Sequence, residues 1–273
     1  DSRQIFKYLN IGTAKPTEDE LKAVRTYFID YLEPDSYISA GHFAKESQIV
    51  IKQIFKKNRI PVIVGGTGLY IQALCEGIFE DEIDVIQRKK VSEKLTLEYQ
   101  ARGIDYLYEK LKLVDKDSAE KYSDKNPRRI LRALEYYEIK GIPFSEAQKI
   151  FMKKSNYNVL YYGIEFPREE LYERINRRTE IMWNSGLVNE VKEILAMGFS
   201  PKLNSLNTVG YKETIAFLNG EMNEKEAIDK IKQNTRRYAK RQMTWFRKNS
   251  KIKWLSGSEK DIAEFILKDL INK

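Results

Sequence analysis

The sequence predicts an α/β protein with a mostly parallel sheet core and a mainly α-helical insertion. Three short apolar runs predict buried strands, namely 60–66 (IPVIVGG), 158–166 (NVLYYGIEF) and 251–256 (KIKWLS). Turn residues bound each run and helical patterns separate them, as in parallel sheets joined by crossover helices. Because 84–150 contains no run of this type, we expect a helical insertion at 81–156, between core parts 1–80 and 157–273.

Apolar residues that recur every three or four positions predict the helices. These are expected at 41–58, 69–77, 84–101, 103–112, 127–140, 168–184, 187–197, 210–219 and 224–248. The helix at 127–140 has the clearest ends, with Asn126 as its cap, Pro127 at its first position and Gly141 after its last. Its apolar face is Ile130, Leu131, Leu134 and Tyr137, and the opposite face carries Arg128, Arg129 and Arg132. A phosphate contact and an ordinary solvated face both fit these arginines.

The last long helix has a packing stripe and a basic side. Positions 228, 231, 235, 238, 242 and 245 fall on one stripe. The other side carries Arg236, Arg237, Lys240, Arg241, Arg247 and Lys248. This pattern is typical of a helix that lies against an anion, although a solvated basic face fits equally well. Since Tyr238 and Trp245 lie on the stripe, we expect them to be core residues first and base-stacking platforms second.

Composition narrows the classes of function. Forty-eight basic and 40 acidic residues give a net charge of +8 and a pI near 9.2. This charge favours a polyanionic partner: nucleic acid, membrane headgroups or phosphorylated metabolites. A single cysteine, Cys75, excludes an internal disulfide and fits a cytoplasmic protein; its apolar setting predicts a buried thiol. One histidine, His42, is too few for the common zinc sites or a histidine triad. No apolar run is long enough to span a membrane, and we expect a monomer.

A glycine-rich loop follows the first predicted strand. Gly65, Gly66 and Gly68 allow close approach of the backbone to a ligand at the carboxyl end of a strand, and Thr67 adds a hydroxyl. The loop is neither G-x-x-x-x-G-K-[ST] nor a dinucleotide fingerprint. A tight strand-to-helix turn without a ligand remains the alternative.

Several motifs, in order along nearly the whole chain, resemble the tRNA dimethylallyltransferase (tRNA isopentenyltransferase) family. They are DSRQ at 1–4, IGTAKPT at 11–17, GGTGLY at 65–70, NPRRILRALE at 126–135, ERINRRTEIMWNSGL at 173–187, VGYKE at 209–213 and AKRQMTWFR at 239–247. The resemblance implies a P-loop-NTPase-like α/β core with a helical insertion. It also implies transfer of a dimethylallyl group from dimethylallyl diphosphate to N6 of adenosine 37, in tRNAs that read codons beginning with U, with Mg²⁺ as cofactor.

The sequence departs from the family pattern in two places. The family's phosphate-binding loop G-P-T-G-x-G-K-[ST], which precedes DSRQ, is absent, and 24–27 reads VRTY where many members carry a histidine pair. We expect that the phosphate-loop segment precedes Asp1 in a longer chain. An inactive tRNA-binding fragment is the alternative.

The resemblance assigns roles residue by residue. Asp1 matches the general base, and Arg178 matches a catalytic arginine that binds the diphosphate. An ion pair of Arg178 with Glu173 or Glu180 is its structural alternative. Thr67 matches a position that touches both substrates. Asp1 and Thr67 share the predicted tRNA contacts with Ser2, Arg3, Gln4, Arg88, Arg128, Arg129, Ile130, Leu131, Arg132, Asn207, Gly210, Tyr211, Lys212, Lys240, Arg241, Gln242, Thr244, Trp245 and Arg247.

The chemistry explains why such residues are needed. The exocyclic amine of adenine is a weak nucleophile, so the reaction needs a base near N6, cations on the diphosphate and a pocket that holds both partners in line. The target base must also leave the stack of the anticodon stem-loop. Two basic helices that make about six phosphate contacts would give a salt slope of roughly −5. The rival enzymes are an adenylate isopentenyltransferase acting on AMP, ADP or ATP and a P-loop kinase of a small metabolite.

Overall fold

The computed structural model describes residues 1–79 and 84–271. Two compact units form within it, one from Asp1–Ile71 with Tyr157–Lys273 and one from Gln72–Asn156. No helix among the described residues is long and apolar enough to cross a membrane. The division predicted from the sequence, with its tRNA-binding role for the insertion, stays a prediction.

The first unit is helical around one apolar core. Ile5, Leu9, Leu187, Val191 and Leu206 are almost fully buried in it. Its elements are α1 (Glu18–Ala23), α2 (Ala40–Phe55), β3 (Tyr161–Ile164), α8 (Arg168–Asn184), α9 (Leu187–Ala196), α10 (Tyr211–Leu218), α11 (Glu224–Phe246), β4 (Ile252–Leu255) and α12 (Glu259–Ile271). The irregular segment that precedes α1 contributes its apolar side chains to this core, which fixes the start of the chain against α9 and α10.

Two of the three predicted strands form, and they pair in parallel. Tyr161 of β3 is opposite Ile252 of β4, and the register continues to Ile164 and Leu255. The strand predicted at 60–66 is wrong for this structure, because these residues form neither helix nor strand. Val62 and Val64 are about four-fifths exposed. A parallel strand is stabilised only by hydrogen bonds to a neighbour, and this apolar run pairs with neither β3 nor β4.

The second unit is mainly helical, with a separate core that includes Leu95, Leu107, Ile130 and Leu134. After α3 (Gly68–Glu76), which begins in the first unit, come β1 (Gly77–Phe79), α4 (Val85–Val114), α5 (Lys116–Lys121), α6 (Pro127–Lys140), α7 (Phe144–Phe151) and β2 (Met152–Lys154). β1 and β2 pair antiparallel. The predicted ends of α6 are confirmed: Asn126 caps it, Pro127 opens it, and Gly141 ends it at φ 69°.

Most predicted helices form close to their predicted bounds. The two expected at 84–101 and 103–112 are joined in α4, which bends where Gly103 takes φ 76°. The short helices α1, α5 and α7, together with α12, were not predicted, because helices this short depend on capping and packing more than on periodicity. Cys75 is buried, as predicted.

Asp115 connects two helices of the second unit. Its Oδ1 accepts a hydrogen bond from the backbone of Ser118 (2.9 Å), which caps α5. The Ser145 amide donates to Oδ2 (2.9 Å) and the Ser145 hydroxyl to Oδ1 (2.6 Å), at the start of α7. Burial alone would raise the pKa of Asp115, but the hydrogen bonds from Ser145 and Ser118 hold it below its usual value.

We therefore expect Asp115→Asn to lower the free energy of unfolding by about 1–2 kcal/mol at pH 7. A depressed folded-state pKa gives stability that is present above the unfolded pKa, about 3.9, and is lost as the pH falls through the folded value. The difference from the wild type should shrink below about pH 4 in urea denaturation. Asp117→Asn, an exposed change in the same helix, is the control; an equal loss for both variants would contradict the assignment.

Candidate active site

Residues 1–4 form a segment that we call the strap. Hydrogen bonds within the strap and to Thr67 of the glycine loop at 65–68 hold it in place. The carboxylate of Asp1 is exposed, and its Oδ1 accepts a hydrogen bond from the Arg3 amide at 2.8 Å. The hydroxyls of Ser2 and Thr67 are hydrogen-bonded at 2.8 Å. Asp1 and Thr67, which were predicted separately, therefore lie on the same surface.

The other two strap residues, Arg3 and Gln4, bind backbone carbonyls of other segments. The Arg3 guanidinium donates to the carbonyl of Asn204 (2.7 Å). The Gln4 amide donates to the carbonyls of Thr13 (3.1 Å) and Ala14 (2.9 Å). These bonds hold the strap against the 10–14 turn and the 203–207 segment. Direct RNA contacts by Arg3 and Gln4 stay a prediction.

The glycine loop lies against α11. Gln242 donates from Nε2 to the Gly66 carbonyl at 3.0 Å. A Cβ on Gly66 would lie 1.9 Å from that nitrogen, and a Cβ on Gly68 would lie 2.2 Å from Nε1 of Trp245. The absence of side chains thus lets two residues of α11 contact the loop backbone. Gln242 and Trp245, which are predicted to touch RNA, therefore contact the glycine loop in the free protein.

Arg3 and Arg178 are partly desolvated, and neither has a carboxylate partner among the described residues. Burial lowers the pKa of Arg3, while electrostatic interaction with Tyr70 and Tyr238 acts in the opposite direction. Burial likewise lowers the pKa of Arg178. Both remain charged at any physiological pH. The ion pair of Arg178 with Glu173 or Glu180 does not form, and Glu180 pairs instead with Lys232 at 2.7 Å.

Arg178 also forms none of the hydrogen bonds or ion pairs described for the strap and the glycine loop. Neighbouring atoms partly desolvate this side chain, yet more than a third of Arg178 stays accessible to solvent, on α8 next to the buried Thr179. Within the part of the chain that the structure describes, its guanidinium is therefore free to bind an anion.

The expectation that Tyr238 and Trp245 are core residues is wrong. They are 39% and 42% exposed, whereas Ala227 and Ile231 of the same helix are buried. The core of this unit packs against the first half of α11, so the second half of the stripe reaches the surface. The guanidinium of Arg241 lies 5.7 Å from the centre of the Tyr238 ring.

The basic side of α11 is only partly free. Arg236 donates to Asn176 Oδ1 of α8 at 2.6 Å, and Arg247 approaches Glu165 at 4.0 Å. Lys240 and Arg241 are exposed, with no carboxylate partner among the described residues. The Thr244 hydroxyl bonds back to the Lys240 carbonyl at 2.9 Å.

Two predicted RNA contacts in the 207–212 segment are corrected. Tyr211 is 0% exposed and Gly210 is buried, so neither residue offers an accessible surface to RNA. Gly210 takes φ 97° where the chain enters α10, which places Tyr211 in the core. Asn207 and Lys212 are exposed, and their contacts stay predictions.

In the second unit, Ile130 is also corrected, because it is 0% exposed in the apolar core. Arg88 and Arg132 both bond to the buried Glu135 carboxylate of α6, at 2.5 and 3.1 Å. Arg128 is exposed and unpaired in the described residues, Arg129 pairs with Asp124 at 3.5 Å, and Leu131 is half-buried. The arginine face of α6 is thus partly internal and partly solvated.

The described residues do not form a metal site by themselves. No three His, Cys, Asp or Glu side chains cluster among them with the arrangement that a metal ion needs. Two surface cavities, of about 440 and 380 Å³, lie elsewhere, and neither is lined by Asp1, Thr67 or Arg178.

Sequence reasoning missed Glu190 and the carbonyl of Asn204. Backbone acceptors carry no sequence signal. Glu190, however, follows Leu187 by three residues and precedes Ile194 by four, so it lies on the buried face of α9. An acidic residue on an apolar stripe is a signal that was available.

We expect Gly68→Ala to displace the Trp245 indole, because the added Cβ would overlap it. The free energy of unfolding should fall by about 1 kcal/mol or more. The tryptophan emission should also shift to longer wavelength, and this shift should be absent when the same change is made in a Trp245→Phe background. Gly65→Ala, whose Cβ would meet Asp1 only at 3.6 Å, is the control and should change stability by less than about 0.5 kcal/mol. Unchanged emission and stability in Gly68→Ala would contradict the contact.

Comparison with known proteins finds relatives over almost the whole chain. A model of the IPP transferase family matches residues 4–249. A tRNA dimethylallyltransferase of Acetivibrio thermocellus is 40% identical over 271 residues, which cover 99% of this chain and 86% of that protein.

Two solved structures of tRNA isopentenylpyrophosphate transferases superpose on the whole chain. The one from Staphylococcus epidermidis has a TM-score of 0.69 at 38% identity and is covered to 89%; the one from Bacillus halodurans has 0.70 at 32% and is covered to 86%. They confirm the predicted fold class, a P-loop-NTPase-like α/β core. The chain therefore belongs to the IPP transferase family.

Proposed function

We propose that this protein transfers a dimethylallyl group from dimethylallyl diphosphate to N6 of adenosine 37, in tRNAs that read codons beginning with U. The relatives and solved structures described above bear the names of tRNA dimethylallyltransferases and tRNA isopentenylpyrophosphate transferases. The observation that carries the proposal is the exposed Asp1 carboxylate, held by the Arg3 amide next to the Ser2–Thr67 bond.

Asp1 suits the role of general base. In the proposed step, the adenine N6 attacks carbon 1 of the dimethylallyl group, the carbon–oxygen bond to the diphosphate breaks, and inorganic diphosphate leaves. The N6 proton moves to the Asp1 carboxylate. One oxygen of that carboxylate already accepts an amide hydrogen, which fixes its direction, and its second oxygen accepts from no donor among the described residues. General-base assistance of this kind contributes about 10²–10⁴-fold.

Arg178 would bind the diphosphate. Its planar guanidinium matches two phosphate oxygens. It pairs with no carboxylate among the described residues, so an anion can bind without breaking an ion pair. The described residues do not fit an all-protein Mg²⁺ site. Mg²⁺ is usually held largely by substrate phosphates and water, so we keep it as a cofactor that arrives with the diphosphate and assign no step to it.

The tRNA would be held by exposed cations of both units. Lys240 and Arg241 on α11 and Arg128 on α6 have no carboxylate partner in the described residues, so a phosphate contact would not require an ion pair to break. Tyr238 and Trp245, which reach the surface, would offer aromatic faces to unstacked bases. We propose the anticodon stem-loop as the element bound and a monomer as the binding form.

The adenylate isopentenyltransferase alternative is less well supported. A free nucleotide has no need for exposed cations on α6 and the end of α11, which are separate helices. Comparing the transfer rates to tRNA and to AMP, ADP and ATP decides between the two. Phosphorylation of a metabolite without prenyl transfer would favour the kinase instead.

The predictions about the phosphate loop and the location of the protein also stay open to test. The described chain has no G-K-[ST] loop, and we propose that one lies upstream of Asp1 in the reading frame. Sequencing that frame tests this directly. A cytoplasmic location is proposed from the single cysteine.

In the complete protein we expect Asp1→Asn to lower the transfer rate by at least about 100-fold, because the base is lost. The affinity for an anticodon stem-loop with adenosines 36, 37 and 38 should stay within about threefold, since the amide oxygen can still accept from Arg3. Labelled dimethylallyl diphosphate measures the rate. Asp19→Asn, a fully exposed change in α1, is the control. Turnover retained in Asp1→Asn would remove Asp1 from the base role.

Replacing Arg128, Lys240 and Arg241 together with Ala should weaken stem-loop binding and flatten its salt dependence, because all three are exposed cations without a carboxylate partner among the described residues. Each lost phosphate contact lowers the slope of log K against log salt by about 0.7–0.9, so the change should be about 2–3. The charge-matched control replaces Lys52, Lys56 and Lys57, exposed cations near the end of α2. Equal slopes in the two triple variants would show that Arg128, Lys240 and Arg241 make no phosphate contacts.

A further inference from the structure

Glu190 is a buried carboxylate that binds the backbone of the turn at 10–12. It lies in the first turn of α9 and is nine-tenths buried. Its Oε2 accepts from the amides of Asn10 (3.1 Å) and Ile11 (2.7 Å), and its Oε1 accepts from the Gly12 amide (3.3 Å) and the Tyr211 hydroxyl (2.6 Å). Four donors and no basic side chain satisfy it in the part of the chain described here.

Tyr211 supports the same turn from below. A Cβ on Gly12 would lie 2.4 Å from the Tyr211 ring, so only glycine lets the backbone rest on it. Burial, the charge of Glu190 and the hydrogen bond donated to it raise the pKa of Tyr211, which keeps the phenol protonated. The carboxylate and the phenol that donates to it therefore form a fixed support for the turn.

The turn that this pair holds is the one that anchors the strap. It closes through hydrogen bonds from Ala14 to the Ile11 carbonyl (3.0 Å) and from Lys15 to the Asn10 carbonyl (3.0 Å). Its Thr13 and Ala14 carbonyls then accept from Gln4. The contacts thus run from Glu190 through the turn and Gln4 to the strap that carries Asp1.

We infer that Glu190, supported by Tyr211, is a positioning residue for the catalytic strap. It touches neither substrate and acts by fixing the backbone from which Asp1 extends. The inference rests on the proposed role of Asp1 as the base. A carboxylate is required because it offers acceptors to all three amides, whereas glutamine would present an NH₂ group to at least one of them.

The test compares Glu190→Gln with Glu193→Gln in the complete protein. Glu193 is on the same helix, is exposed and makes no bond to the turn. In Glu190→Gln the single-turnover transfer rate per folded molecule should fall about 10–100-fold, while the affinity for the stem-loop stays within about threefold. Hydrogen exchange of the 10–12 amides should accelerate about tenfold or more. Glu193→Gln should match the wild type in all three measurements.

Tyr211→Phe keeps the ring under Gly12 and removes one donor, so it answers the question even if Glu190→Gln does not fold. We expect a rate about 3–10-fold lower and faster exchange at the same amides. Unchanged exchange at 10–12, or an unchanged transfer rate per folded molecule, would overturn the inference. A wild-type protein that transfers no dimethylallyl group would refute the proposed function instead, and the exchange result would still decide whether Glu190 holds the turn.

Discussion

Close contact between glycine backbone and helix side chains is the constraint on which the site depends. Gly12 rests on Tyr211, Gly66 on Gln242 and Gly68 on Trp245. The strap, the 10–14 turn and the 65–68 loop form no helix or strand that would hold them in place, apart from the first residue of α3. The turn and the loop are held by side chains from α9, α10 and α11, and the strap is held in turn by Thr67, Asn204 and the turn. Glycine is needed at these contacts because any larger residue would occupy the space of the supporting group.

This arrangement separates the proposed base, Asp1, from the groups that fix its position. Asp1 keeps an exposed carboxylate, whereas its neighbours Ser2, Arg3 and Gln4 are engaged with Thr67, Asn204 and the turn. A base held on a rigid backbone loses little entropy when the substrate binds, which is the physical origin of positional catalysis. The polar strap residues therefore fix the position of the proposed base in the free protein, before any RNA contact.

Elements specified by local rules could be predicted well. Asn126, Pro127 and Gly141 fixed the bounds of α6 without reference to the rest of the molecule. The run at 60–66 could not be predicted, because apolar composition favours a strand but only a hydrogen-bonded neighbour makes one. Tyr238 and Trp245 lie on a regular stripe, yet periodicity does not say where the packing partner of a long helix ends.

The residues that were proposed for the reaction could be predicted from the sequence, whereas the groups that hold them in place could not. Asp1, Thr67 and Gln242 came from motif resemblance, and the structure brings them to one surface, although their roles stay predictions. The carbonyl of Asn204 has no residue-type signature. Glu190 had one, an acidic side chain on the buried stripe of α9, but its partners are distant in the chain and could be found only from coordinates.

This separation along the sequence affects how the protein folds during synthesis. The donors at Asn10, Ile11 and Gly12 are separated from the Glu190 carboxylate by 178 to 180 positions, and the Gly66 carbonyl from Gln242 by 176. At a ribosomal rate of about 5–20 residues per second, the nascent N-terminal segment waits on the order of 10–40 s for the helices that hold it. The newly made chain thus remains without an assembled site until synthesis has passed α11.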